Sequence, residues 1–234
     1  MKFLKLLIFL SARFVNSATT QRYRQVTKSY ISIINCTETH VSSLLHCTAL
    51  SRESKDVTFF YDNQKKQCRR NCRFQYNMDA VIPGWQCYEM EWKTNEVLNK
   101  RPLVSSVYFN KTSNWSPDYA TDGVISIQGV QIFSSHWEPT PWIMVDLVNM
   151  SKISFVRVFV RIDTGGKRFH DVIYEISNNT STYEQFGFFR GPAVNGQVVE
   201  ICCGSPDVGQ YVRLRVTQGS NNSLNIAELE IFSL

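Results

Sequence analysis

The sequence predicts a mostly β protein with two parts, a small disulfide-rich α+β domain followed by an antiparallel β-sandwich. Aromatic residues make up 13% of the 234 residues, which favours strands. In the C-terminal half, apolar and polar residues alternate with the period of two that a half-buried strand requires. Five of the seven cysteines fall between positions 36 and 87, so we expect disulfides mainly in the N-terminal half.

Residues 1–17 have the pattern of a secretory signal peptide. Lys2 and Lys5 precede an apolar run, and the small residue Ser17 suits cleavage. The alternative is a membrane anchor, which the shortness of the run and its interruption by Arg13 oppose. No later segment is long and apolar enough to span a bilayer, and 43% hydrophobic with 19% charged residues is typical of a soluble folded chain. We therefore expect a secreted, extracellular protein with no membrane span.

The charge balance argues against partners that bind through charge. The formal net charge is +5, and removal of Lys2, Lys5 and Arg13 with the signal peptide leaves about +2. A chain so close to neutrality is not expected to bind nucleic acid, or anionic lipid through charge alone. Triplets for N-linked glycosylation support secretion and predict a glycoprotein; they begin at Asn35, Asn110, Asn114, Asn149, Asn178, Asn179 and Asn221.

The cysteine-rich half contains one predicted helix and a strand. Apolar residues at helical spacing predict the helix over Thr39–Leu50, and the run Val57–Tyr61 predicts the strand. In an oxidising compartment the cysteines favour disulfides; the alternative is zinc, because three residues separate Cys68 from Cys72. This cysteine order, together with the helix, resembles the PAN/apple domain over residues 28–92. The resemblance implies contacts with proteins or carbohydrates and no catalysis.

A change of pattern follows residues 93–102, a polar segment without cysteine that is the predicted linker. Period-2 strands with one buried face, separated by turns, then predict an antiparallel sandwich. The alternating apolar positions are Val156, Val158 and Val160, then Val212, Leu214 and Val216, and finally Ala227, Leu229 and Ile231.

One spacing in this half suits the binding of a sugar. Twenty-four residues separate His136 from Arg161, which is followed by Asp163 and, after four more residues, by Arg168. A neutral sugar needs rigid hydrogen-bond donors at fixed angles, because its hydroxyls donate and accept while its ring oxygen only accepts. Two planar guanidinium groups beside one imidazole can bracket an axial hydroxyl and reach its neighbours. Asp163 is expected to orient one arginine through paired hydrogen bonds.

The same spacing resembles the sugar-binding signature of the F-type lectins, or fucolectins. Flanking motifs agree with that family, namely Ala120-Thr121-Asp122-Gly123, Pro141-Trp142, Val145-Asp146-Leu147 and Gly209-Gln210-Tyr211-Val212. The resemblance covers residues 101–234. For a domain at 103–234 it implies an eight-stranded jelly-roll β-sandwich of the galactose-binding, discoidin-like type. It also implies that His136, Arg161 and Arg168 bind fucose.

Departures from the family bear on this candidate site. Many members have two adjacent, bonded cysteines that pack on the sugar ring, and here those positions are Thr164 and Gly165. Trp137 is a candidate replacement that would stack on a sugar face, the alternative being a core position. A second disulfide that is frequent in the family is also missing, because Ser134 and Ala227 occupy the positions of its two cysteines.

The resemblance also implies a structural calcium ion held by Asp122 and Glu228. Calcium binds about six to eight oxygens, which two carboxylates and loop carbonyls can supply. The asparagine that the family often has after Asp-Gly is Val124 here. The alternative is that Glu228 pairs across strands with Arg213 or Arg215.

The remaining cysteines allow several pairings. Cys202 and Cys203 are adjacent, and they can bond to each other or one can bond elsewhere. Because the total is odd, a disulfide from Cys72 to the C-terminal domain or to a second chain is a further hypothesis.

Three functions compete at this point. The first is a secreted lectin for fucose-containing glycans and glycoproteins in recognition or adhesion. Because a single shallow sugar site is weak, a homo-oligomer is expected with it. The second is a discoidin-like adhesion module that binds protein or lipid and has lost sugar binding. An enzyme is not expected, since no Gly-x-Ser-x-Gly, His-Glu-x-x-His or phosphate-binding loop occurs.

Overall fold

The computed structural model describes residues 22–26, 31–76, 84–91 and 95–233. The predicted signal peptide and parts of the predicted PAN/apple-like range and linker lie outside the described residues. Among the residues that are described, no helix has the length and apolar character needed to cross a membrane.

The described residues form twelve β-strands and two α-helices, and every strand pairing is antiparallel. The strands are β1 (Tyr23–Val26), β2 (Ile31–His40), β3 (Thr58–Asp62), β4 (Gln67–Tyr76), β5 (Gln86–Met90), β6 (Leu103–Val104), β7 (Phe133–Ser134), β8 (Trp142–Val160), β9 (Val172–Ser177), β10 (Glu184–Phe189), β11 (Gln197–Val216) and β12 (Asn225–Ser233). The helices are α1 (Leu44–Glu53) and α2 (Thr112–Trp115), and 3-10 turns lie at Tyr108–Asn110, Pro117–Ala120 and Gly166–Arg168.

Two long strands, β8 and β11, connect the two sheets of the C-terminal part. Residues 142–146 of β8 pair with 211–215 of β11, and β6, β9 and β10 extend this first sheet. Residues 151–159 pair with 198–209, and β12 and β7 extend the second sheet. Register shifts and a φ of +72° at Val148 mark the change from one sheet to the other. The part after residue 102 therefore has seven described strands, two of which serve both sheets, where eight were expected.

The two sheets enclose a common core, and the alternation of β8 and β11 predicted its lining correctly. Each buried valine or leucine in it contributes about 1.5–3 kcal/mol to folding. The six predicted positions all lie in this core, namely Val156, Val158, Val160, Val212, Leu214 and Val216.

The alternation of β12 differs from the prediction in one place. Leu229 and Ile231 line the common core as expected, but Ile226 takes the third position. Ala227 instead packs on the opposite face, beside Phe159. The reason is a register shift between Ile226 and Glu228, which turns Ala227 away from the core.

The prediction of a single buried face is wrong for β8. From Ile153 to Val160 every residue is buried, so both faces of this stretch are covered. Phe155 and Phe159, which alternate with the core valines, point to the outer face of the second sheet. A strand covered on both faces is apolar throughout, and its alternation is correspondingly weak.

The N-terminal strands cover that outer face. β4 pairs with the beginning of β11 through Gln75 and Gln197. Phe60 of β3 lies in a buried cluster with Phe159, and Val57 lies in another with Phe155 and Phe232. Val97, inside the predicted linker, is fully buried in the common core.

A buried ion network joins the same two parts. Arg157 of β8 contacts Glu89 of β5 and lies 2.7 Å from Glu200 and 2.9 Å from Glu230. Only 6% of the Arg157 side chain is exposed. Burial alone would lower the pKa of Arg157, but the three carboxylates raise it above its usual value and keep the guanidinium charged.

Helix α1 begins later than predicted. Residues 39 and 40 belong to β2, and α1 runs from Leu44 to Glu53. The hydroxyl of Ser43 accepts a hydrogen bond from the His46 amide and caps the first turn, which fixes the beginning there. Leu45, expected on the apolar face, is largely exposed, whereas Cys47 is buried.

Two disulfides hold this part together. Cys36 pairs with Cys72, and Cys47 of α1 pairs with Cys68 of β4. The zinc alternative for Cys68 and Cys72 is therefore wrong, and so is the hypothesis that Cys72 bonds to the C-terminal domain or to a second chain.

Candidate functional site

The predicted arginines lie in the loop that follows β8. Arg161 directly follows the last residue of the strand, and only 14% of its side chain is exposed. Its Nε donates to Oδ1 of Asp163 at 2.6 Å, and its Nη2 donates to Oδ2 at 2.9 Å. These paired bonds from Arg161 lower the pKa of Asp163, so the carboxylate is ionised and fixes the plane of the guanidinium group.

Two glycines allow this arrangement. A Cβ atom at Gly129 would overlap with Arg161 Nη2 and Asp163 Oδ2, so a larger residue there would displace the paired side chains. Gly165 has a φ of +72°, which turns the chain into the 3-10 turn that carries Arg168. Phe169, buried in the common core, anchors the end of that turn.

Arg168 is held by two contacts. Its Nη1 donates to Oδ1 of Asn225 at 3.0 Å, and Asn225 is in turn fixed by donating to Ser134 Oγ at 2.7 Å. The guanidinium carbon of Arg168 lies 4.8 Å from the centre of the Trp137 ring. Desolvation and the nearby positive charge of Arg161 lower the pKa of Arg168. The two predicted arginines therefore lie close enough to repel each other.

His136 lies on the turn after β7. Its backbone amide donates to Ser106 Oγ at 3.0 Å. The centre of its ring lies 6.1 Å from that of Tyr108 and 6.2 Å from that of Phe109. Tyr108 also packs edge-to-face against Trp115, with the two ring centres 4.9 Å apart.

The structure thus brings most of the predicted site residues into one cluster. Asp163 and Arg168 are linked to Arg161 by hydrogen bonds or electrostatic interaction, and Trp137 lies against Arg168. His136 is the chain neighbour of Trp137, and its ring lies near those of Tyr108 and Phe109.

Three further residues near this site were not predicted from the sequence. Phe109 is 61% exposed and has a φ of +49°, which is uncommon for an aromatic residue and is typical of functional sites. Tyr108 and the buried Asn225 were also missed. The adjacent aromatic pair before a glycosylation triplet was the one available signal for Phe109.

An open pocket of about 650 Å³ lies beside the cluster. Trp137 and Arg168 line it, whereas His136, Arg161 and Asp163 do not. Its other walls come from the loops around Lys167, Asn195 and Asn221. The predicted site therefore lies on the rim of this pocket and not at its centre.

The predicted calcium residues lie together elsewhere. Glu228 is 1% exposed, and its Oε1 accepts a hydrogen bond from the Gly123 amide at 3.1 Å. Its Oε2 is buried and makes no hydrogen bond among the described residues. Burial and the neighbouring carboxylate of Asp122 raise the pKa of Glu228 to about 9. Desolvation also raises the pKa of Asp122.

The alternative pairing of Glu228 is wrong. Arg213 and Arg215 both pair with Glu175, at 2.7 Å and 2.8 Å. Across the described ranges, no group of three or more histidine, cysteine, aspartate or glutamate side chains could hold a metal ion. The Asp122–Glu228 pair has two carboxylates, one of them with an unpartnered buried oxygen.

With this geometry in view, comparison with known proteins places the fold. Residues 119–214 match a family model described as NedA-like, galactose-binding domain. Comparison with curated proteins gives no match.

Several solved structures are similar to the chain. A fucolectin from the serum of striped bass, Morone saxatilis, is 21% identical with a TM-score of 0.56, over 61% of this chain and 49% of that one. A fucose-binding module from Streptococcus pneumoniae is 20% identical with a TM-score of 0.53, over 66% and 99%. The lectin domain of lectinolysin complexed with Lewis B antigen is 18% identical with a TM-score of 0.54, over 62% and 99%. The C-terminal part of this chain therefore has the galactose-binding-like β-sandwich fold that these modules share.

Proposed function

We propose that this protein is a secreted lectin that binds fucose-containing glycans through His136, Arg161 and Arg168. The observation that carries the proposal is that one loop after β8 carries two arginines held by hydrogen bonds, and that the second of them lies against the exposed Trp137. Asp163 orients Arg161 through two hydrogen bonds, and Asn225 orients Arg168 through one.

This arrangement suits the chemistry of a neutral sugar. Hydrogen-bond donors that are already ordered bind hydroxyl groups without a further loss of side-chain entropy. Asp163 accepts hydrogen bonds from the Nε and Nη2 of Arg161. In the proposal, the N–H groups of Arg161 that have no partner among the described residues donate to the sugar. The side chain of His136 adds a donor or an acceptor according to its tautomer.

Aromatic rings replace the adjacent cysteines that the F-type lectins place on the sugar. Trp137 is 44% exposed and lies against Arg168, and Phe109 is 61% exposed and lies near the His136 ring. An exposed ring offers a flat apolar surface to the C–H face of a pyranose. In this proposal Trp137 serves that role and Phe109 assists it.

The comparisons support a sugar ligand. The matched family is a galactose-binding domain, and the similar structures include a fucose-binding module and a lectin domain bound to the Lewis B antigen. Within the proposal the chain is not an enzyme, and it acts by binding alone. The N-terminal part serves as a PAN/apple-like unit that adds contacts, and a homo-oligomer supplies avidity.

A glycan array tests the proposal directly. We expect the full secreted chain, glycosylated as produced, to bind probes that end in fucose and not the matched probes that lack it. If protein that is folded by circular dichroism binds none of the fucosylated probes, the proposal is wrong. Binding to protein or lipid in that case would favour the alternative adhesion module.

The proposal includes a structural calcium ion at Asp122 and Glu228. The residues fit this ion, because the buried Glu228 Oε2 has no hydrogen-bond partner and two carboxylates there have raised pKa values without a nearby cation. A bound calcium ion would supply the missing positive charge. Glu228 would thereby keep the Gly123 turn attached to β12.

Stability should depend on pH through Glu228. Its pKa is about 9 in the fold and 4.5 ordinarily, so without calcium the folded state binds a proton more tightly, and stability falls as the pH rises from 4.5 to 9. Added calcium should therefore raise Tm by several degrees at pH 8 and by less at pH 5. We expect Glu228→Gln to abolish both dependences and the exposed control Glu184→Gln to keep them. Differential scanning fluorimetry measures the Tm of each variant with and without calcium. A Tm that is the same with and without calcium at both pH values contradicts the site.

A further inference from the structure

The pocket beside the proposed fucose site has an unusual distribution of charge. We call it the lateral pocket and define it by Lys167, Arg168, His170, Asn195 and Asn221, five of its lining residues. No aspartate or glutamate lines it among the described residues. A second, smaller pocket shares Lys167 and His170 and adds Arg190.

Two cations of this region, Lys167 and Arg190, form no ion pair among the described residues. The single carboxylate there, that of Asp171, is engaged with His170 at 3.0 Å. In the part of the chain that the structure describes, neither Lys167 nor Arg190 has a carboxylate within ion-pair distance, and both are exposed. Because the mature chain carries only about +2, this excess is local and does not reflect an overall basic protein.

The rest of the lateral pocket suits a sugar. Val194 is 49% exposed and Trp137 is 44% exposed, so apolar surface is available. Asn195 is held rigidly, since its Oδ1 accepts from the Gly166 amide at 2.8 Å. Arg168 belongs both to this pocket and to the proposed fucose site. A ligand in the fucose site would therefore extend directly into the lateral pocket.

We propose that the lateral pocket binds an acidic sugar residue, one that carries a sulfate ester or a carboxylate, within the same glycan. Lys167 and Arg168 contact the anionic group, and Arg190 strengthens the local field. The amide groups and apolar surface contact the ring. The inference deepens the proposed function and rests on it only for the neighbouring fucose.

The test compares affinities within one glycan series. The probes share a fucosylated core and exist as the uncharged form, a sulfated form and a sialylated form, together with the sulfated core without fucose. Binding of the full chain is measured by biolayer interferometry at 50 mM and 300 mM NaCl. Because Asn221 begins a glycosylation triplet at this pocket, affinities are compared after enzymatic removal of N-glycans.

We expect at least one charged form to bind about three- to tenfold more tightly than the uncharged form at low salt, and the advantage to shrink at high salt. Lys167→Ala should remove most of this advantage and leave the affinity for the uncharged form unchanged. The matched control is Lys152→Ala, an exposed lysine outside the pocket, which should change neither affinity. The two charged probes distinguish sulfate from carboxylate.

Three results would overturn the inference. One is equal affinity for charged and uncharged forms, and another is the same loss in Lys152→Ala as in Lys167→Ala. The third is equal competition by double-stranded DNA, which would indicate unspecific attraction. If the sulfated core without fucose binds through Lys167 while the uncharged fucosylated form does not bind, the inference stands and the proposed fucose function fails.

Discussion

Arg161→Ala should abolish the proposed binding of fucose while leaving the protein folded. In the proposal, the N–H groups of Arg161 other than the two that donate to Asp163 bind the ligand. Each ligand hydroxyl left without its partner costs about 1–3 kcal/mol, so the loss of two bonds weakens binding by roughly 30-fold or more. Isothermal titration with methyl α-L-fucoside measures the change, and an unaltered titration curve refutes the assignment.

Two further variants make this result interpretable. Arg161→Lys should also weaken binding strongly, because one ammonium group cannot replace the planar guanidinium group. Arg101→Ala should have no effect, since Arg101 is an exposed arginine whose contact with Asp118 is 3.7 Å long. Equal thermal stability of the three variants shows that the loss concerns binding and not folding.

Arg157→Ala should lower the stability of the whole chain by about 3–5 kcal/mol, because it leaves buried carboxylates without a positive partner. Arg157 serves three of them, and Glu89 and Glu200 are almost as buried as the arginine itself. The expected fall in Tm is roughly 6–20 °C for a chain of this size. Urea denaturation at pH 7 gives the free energy directly.

The control for this prediction is again Arg101→Ala, which should change the free energy of unfolding by less than about 1 kcal/mol. A combined variant in which Arg157, Glu89 and Glu200 become Met, Gln and Gln should recover part of the loss, since it removes the two most buried of the three carboxylate charges. A loss below about 1 kcal/mol in Arg157→Ala would show that water reaches the network, contrary to its burial in the structure.

The strands of the sandwich were predictable, whereas their surroundings were not. Val212, Leu214 and Val216 alternate with polar residues, so the period of two identified β11 and its buried face directly. On β8 the phenylalanines at 155 and 159 are as apolar as the valines between them, and that lack of contrast was the signal that both faces are covered. The residues that cover the second face are distant in sequence, and the periodicity of β8 gives no information about them.

The candidate site was predictable in its arginines and not in its supports. Asp163 follows Arg161 after one residue, and that spacing alone indicated the paired hydrogen bonds that the structure contains. Asn225 holds Arg168 from 57 positions further along the chain. Nothing local marks that contact, because it depends on β12 lying beside β7. The same applies to Phe109, which reaches His136 only through the fold.

The N-terminal strands have a consequence for engineering. A fragment that begins after residue 102 would expose Phe155, Phe159 and Phe232 to water. It would also leave Arg157 without its partner Glu89. Such a fragment therefore cannot be transferred by itself to another protein. Any transfer of the C-terminal half to another protein has to include the N-terminal strands that cover its second sheet.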